Sequence, residues 1–122
     1  MRIFSSEVGD PMLLDNEEGL RAFGSELEAF LASAASAHSF PSHTSGGAEP
    51  YAQFLEGLRV EKVELLAPEL QIGEDRWLAL KASVPELVQL RERIGVLQDG
   101  DHTHLYASPI SLVVEADDTW PS

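Results

Sequence analysis

Apolar positions recur every three to four residues over two stretches of the chain. In the first, Leu20, Phe23, Leu27, Phe30, Leu31 and Ala34 fall on one face, with Arg21, Ser25, Glu26 and Glu28 between them. That spacing predicts an amphipathic helix over residues 16–35. Asp15 with Glu18 reads as its capping pair, in which side-chain oxygens take up backbone N–H groups left free in the first turn. Gly19 and Gly24 each cost a helix about 1 kcal/mol relative to Ala, and the apolar stripe outweighs them. In the second stretch Leu87, Leu90, Ile94 and Leu97 continue a stripe behind Ser83, Pro85 and Glu86. Ser83 and Glu86 form a capping box, and Pro85 sits in the first turn, where its missing N–H is not needed. A helix over 84–96 follows.

Elsewhere the period is two. Residues 59–65 largely alternate polar and apolar side chains, the pattern of a strand with one solvated face, and residues 76–82 read as a second strand. Met1–Phe4 reads as a short edge strand, and Met12-Leu13-Leu14 as a brief strand after a turn at Gly9-Asp10-Pro11. Tyr51, Phe54, Leu55 and Leu58 suit one or two helical turns. Leu70 and Ile72 suggest a further strand before the turn Gly73-Glu74-Asp75. Strands near 102–106 and 110–115 flank a break at Pro109. Residues 36–50, dominated by Ala, Ser, Gly and His, read as a loop closing at Glu49-Pro50. Residues 117–122, with Trp120, read as a loose tail.

The order strand, helix, strand, strand thus occurs twice, over 10–66 and 75–116, which suggests an internal duplication. The expected fold is a single α+β domain spanning 1–122, a mostly antiparallel sheet with both helices packed on one face.

Composition narrows the function. Hydrophobic residues make up 43% and charged residues 24%, values of a chain that folds. There is no cysteine, which removes disulfides and thiolate metal sites. The apolar runs are too short to cross a bilayer and the first residues lack a signal-peptide core, so a cytoplasmic protein with no membrane contact is expected. Twenty-one acids against eight bases leave a net charge of −13, spread over both halves. Such a chain is a poor ligand for nucleic acid, whose phosphates demand Lys and Arg. It suits a basic protein partner.

Candidate chemistry concentrates in Asp99-Gly100-Asp101-His102-Thr103-His104-Leu105-Tyr106. In an extended backbone His102 and His104 share one face, with Asp99 and Asp101 as oxygen donors nearby. Two histidines alone rarely hold a metal, and a third would have to come from His38 or His43, so no cofactor is expected. No nucleophile elbow or phosphate loop occurs, and an enzyme is not expected. Asp99, Asp101, His102, His104 and Tyr106 are the candidate interaction surface. Among the other aromatics, Trp120 is a candidate anchor and Trp77, at a strand start, reads as core.

The run Leu80-Lys81-Ala82-Ser83-Val84-Pro85-Glu86-Leu87-Val88-Gln89-Leu90, then Asp101-His102-Thr103-His104-Leu105, then Ser111-Leu112-Val113-Val114-Glu115, resembles the immunity protein 32 family of bacterial polymorphic toxin systems. Glu18-Gly19-Leu20-Arg21 is similar to the family's helix-opening motif, although the first half has no His-x-His-Leu. The resemblance covers about a third of the chain in the second half and less in the first. It implies a toxin-neutralising role with no catalytic residues to carry over; together with the acidic charge, the expected partner is a cognate toxin with a basic surface. The competing expectation is a small structural domain that self-associates through a free strand edge.

Overall fold

The first hairpin pairs β1 (Arg2–Ser6) antiparallel with β2 (Gly9–Asp15), Ile3 lying opposite Leu13 and Phe4 opposite Met12. The computed structural model describes residues 1–6, 9–42 and 52–118. Expectations placed on His43, Glu49-Pro50, Tyr51 and Trp120 fall outside the described residues. β1 lies inside its sheet rather than at an edge, and Gly9-Asp10-Pro11 is strand rather than turn.

From β2 the chain enters α1 (Glu17–Ala32). The cap is Asn16, whose Oδ1 accepts a hydrogen bond from Gly19 N at 2.7 Å. Asp15, the expected cap, remains in the ladder of β2 and is only 2% exposed. Its Oδ1 accepts from Asn16 N at 2.8 Å, and its Oδ2 lies 2.8 Å from the Met1 amino group. This carboxylate also explains the glycine in the first turn. A Cβ on Gly19 would stand 2.0 Å from Asp15 Oδ2.

After α1 the structure departs from the expected loop. Ala37–Pro41 is a strand, β3, because His38 and Phe40 turn to the core side while Ser39 faces away, an alternation hidden by small residues. The predicted helical turns near 51–58 are instead β4 (Ala52–Phe54) and the start of β5 (Gly57–Lys62). Between them the chain changes sheets. Leu55 N donates to Ile3 O at 2.8 Å and Glu56 N to Arg76 O at 2.8 Å. Leu55 itself is buried at the bend.

The second half repeats this order: β6 (Glu69–Ile72), β7 (Trp77–Ala82), α2 (Val84–Gly95), then β8 (His102–Leu105), β9 (Ser108–Pro109) and β10 (Leu112–Ala116). Ser83 caps α2 as expected, accepting from Glu86 N at 3.4 Å. Ser108-Pro109 is a cis peptide.

The architecture is α+β and mostly antiparallel, and the helices pack on sheet. The strands divide between two sheets rather than forming one: β4-β1-β2-β10-β8, here called sheet A, and β3-β5-β7-β6-β9, sheet B. Read from the other edge, sheet B is β9-β6-β7-β5-β3, so the sheets match strand for strand. In each, the hairpin of one half receives in parallel the last strand of the other half, β10 beside β2 and β5 beside β7. Only the short edge strands differ, β4 running antiparallel to β1 and β9 parallel to β6. The match spans residues 2–62 and 69–116, wider than the sequence pattern suggested.

One buried cluster joins both sheets and both helices. Ile3, Leu13, Leu112 and Val114 enter it from sheet A, and Leu58, Val60, Leu70, Leu78 and Leu80 from sheet B. Leu20, Phe23, Leu27 and Phe30 of α1 meet Leu87, Leu90 and Ile94 of α2. Burying each such side chain contributes roughly 1.5–3 kcal/mol. Arg21 ties the helices together, donating to Ile94 O at 3.0 Å in the last turn of α2 and also to Leu97 O just past its end.

Candidate interaction surface

The turn before β8 uses both of its aspartates for folding. Asp101 Oδ2 accepts from Gln98 N at 3.0 Å, and Asp99 Oδ1 accepts from Asp118 N at 2.7 Å. Gly100 has φ +89°, a conformation that favours glycine, and its N–H reaches Ala116 O at 2.8 Å. These bonds pin the entry of β8 to the exit of β10. Asp99 and Asp101 therefore build the platform on which the histidines stand. Both residues stay exposed.

His102 and His104 share the face of β8 that points away from the core, while Leu105 is buried beneath. Their ring centroids are 5.3 Å apart, edge to face, and the next ring, Tyr106, lies 5.4 Å from His104 and parallel to it within 6°. Tyr106 is 72% exposed. β8 is an edge strand. Arg93 of α2 reaches that edge, donating to His104 O at 3.3 Å.

The strand register extends this line across sheet A. His104 lies opposite Val113, Val113 opposite Met12, Met12 opposite Phe4, and Phe4 opposite Phe54. Phe4 and Phe54 meet edge to face at 6.4 Å. The neighbouring row runs His102, Glu115, Leu14, Arg2. The first row is thus a half-exposed line of aromatic and aliphatic side chains, whereas in the second Leu14 is buried between Arg2 and Glu115. Of the outer face of sheet A only the β8 end is legible in the sequence. In β10 the 2-residue period turns Leu112 and Val114 inward and Val113 outward.

His38, a candidate third ligand, belongs to sheet B. Its Nε2 lies 2.9 Å from Glu26 Oε2, and its ring stacks on Phe30 at 5.5 Å. Among the described residues no group of three or more His, Asp or Glu side chains converges as a metal site. Trp77, expected in the core, is half-buried on the outer face of sheet B because Leu78 and Leu80 take the inward positions. The Arg59 guanidinium sits 5.0 Å from the Trp77 ring and 3.7 Å from Asp75 Oδ2. Gly57 makes room for that ring, since a Cβ there would come within 2.5 Å of it. On the same face a shallow hollow of about 340 Å³ is lined by Glu69, Gln71, Lys81 and Ser108 among others.

The charge excess is carried outward. Much of the basic minority is spent internally: Arg21 on the end of α2, Arg59 on Trp77 and Asp75, Lys62 on Ser33 O at 2.8 Å, Arg91 on Glu28 at 2.5 Å, and Arg93 on β8. Carboxylates meanwhile gather near the start of α1. Asp118 Oδ1 accepts from Glu17 N at 2.9 Å, and hydrogen bonding to and repulsion by that carboxylate hold the Glu17 carboxyl above its ordinary pKa. Among the described residues no helix is long and apolar enough to cross a membrane. No family model matches the chain, and neither a curated protein nor a solved structure matches it.

Proposed function

We propose that the protein is a non-enzymatic, immunity-type binding protein that occupies a basic surface of a bacterial toxin and neutralises it in the cytoplasm. The observation that carries this reading is the exposed His102–His104–Tyr106 line on an acidic chain whose cations are largely committed internally. Exposed aromatic rings supply contact area and anchoring at protein interfaces, and unspent carboxylates steer a cationic partner into place. The resemblance of residues 80–90, 101–105 and 111–115 to the immunity protein 32 family supports the same reading. Asp99 and Asp101 contribute by holding the turn that presents the line, with their exposed sides adding to the negative field.

The test is co-expression. The product of the adjoining gene, expressed alone, is expected to arrest growth of its host, and this protein is expected to restore it. A harmless neighbour, or a toxic one that this protein does not relieve, would contradict the reading.

A further inference from the structure

The strand-for-strand match of the two sheets gives this fold its own internal control. In register, Leu13 of β2 occupies the position of Leu80 of β7, and Val114 of β10 that of Val60 of β5. It follows that His102, His104 and Tyr106 correspond to Ala37, Ser39 and Pro41. The row Phe4, Met12, Val113, His104 corresponds to Gln71, Ala79, Arg59, Ser39. The row Arg2, Leu14, Glu115, His102 corresponds to Glu69, Lys81, Glu61, Ala37. One backbone arrangement therefore occurs twice with two different outer faces. Apart from Trp77, which Arg59 covers, sheet B wears the polar coat of an ordinary solvated sheet face. In the row Phe4, Met12, Val113, His104, sheet A wears rings and aliphatic chains where sheet B has Gln71, Ala79, Arg59 and Ser39.

The molecule also shows what such rings accept. On sheet B the chain supplies its own cation, Arg59, over Trp77 with Asp75 as its carboxylate partner. On sheet A the rings of His102, His104 and Tyr106 follow one another along β8, Glu115 lies across the ladder from His102, and among the described residues no cation is seated over the parallel His104–Tyr106 pair. A guanidinium is planar, stacks on aromatic faces and pairs with a carboxylate in the same plane, which an ammonium cannot do as well.

We infer that the outer face of sheet A, and not that of sheet B, seats an arginine-bearing surface of a basic protein, guanidinium groups stacking along the ring line of His102, His104 and Tyr106, with Glu115, opposite His102, as the ionic partner at that end. The net charge of −13 supplies the complementarity, and Phe4, Met12 and Val113 supply the apolar floor. For the biological owner of that arginine this rests on the toxin-neutralising reading, but the surface assignment is tested without the toxin.

The probe is a short all-arginine peptide, with an all-lysine peptide of the same length beside it, titrated into the isotope-labelled protein and followed by NMR. Shifts are expected at His104, Tyr106, Val113 and Glu115, with arginine binding severalfold tighter than lysine. The variant His102→Ala/His104→Ser/Tyr106→Ala borrows residue types that the equivalent strand carries at two of the three places. It is expected to keep the wild-type spectrum elsewhere and lose the arginine response by about tenfold. Shifts centred on sheet B or spread over all carboxylates, equal binding of both peptides, or no binding would overturn the proposal. So would a concentration-dependent dimer that hides sheet A. If the peptide maps to sheet A while the toxin is not relieved, the surface stands and the neutralising reading falls. If the toxin is relieved equally well by the triple variant, the reverse holds.

Discussion

Gly19 and Glu17 show how much a single position decides. Gly19 looks like a helix-weakening residue, yet Asp15 occupies the space its side chain would need. Gly19→Ala is expected to destabilise the protein by about 2 kcal/mol, because inserting atoms into a filled site costs more than helix propensity returns; urea denaturation measures it. At Glu17 the carboxyl is held above its ordinary pKa by Asp118. A raised carboxyl pKa means that the folded state prefers the protonated form, so Glu17 is least costly at low pH and stability is lost as pH rises through its pKa. Glu17→Gln is expected to raise the melting temperature at neutral pH, the gap to wild type closing as the solution is acidified below the carboxylate range. A constant gap would show that the carboxyl pair is not its source.

At the scale of elements, both helices and the strands at 59–62 and 77–82 were legible because each buries one strongly apolar face. The capping box at Ser83 was legible for the same local reason. The cap at Asn16 was not, since Asp15 is an equally good local choice and only the ladder with β10 removes it. β3 and β4 were missed because Ala, Ser and Pro mute the alternation and strand identity there comes from pairing with β5 and β1. Arg21, an exposed polar residue in the helix pattern, turns out to join the helices at the end of α2. Arg21→Met is expected to cost about 1 kcal/mol, the charged hydrogen bond discounted for its partial exposure. Thermal unfolding would register it, and an unchanged midpoint would mean that packing alone holds the helices.

For the whole molecule, the exchange of last strands explains why neither half can complete a sheet by itself, and why the division into two sheets was illegible. The deciding pairs, β2 with β10 and β5 with β7, join positions distant in sequence. The site was legible where it is local, as His102, His104 and Tyr106, and illegible where it is assembled, as Phe4, Met12 and Phe54 from separate strands. Leu13 and Leu80 occupy equivalent, fully buried positions beneath the exchanged strands. Replacing either by Ala is expected to cost about 2–5 kcal/mol, and similar losses in both, measured by denaturant unfolding, would reflect the matched surroundings.

The most direct measurement is calorimetric titration of the adjoining gene's product with the wild-type protein and with two surface variants, at about 50 mM and about 300 mM salt. Binding is expected to weaken with salt. A loss of about tenfold or more is expected for His104→Ser/Tyr106→Ala, and no change for Ser39→Ala/Gln71→Ala on sheet B. Salt-independent binding, or a loss confined to the sheet B variant, would contradict the proposed binding surface.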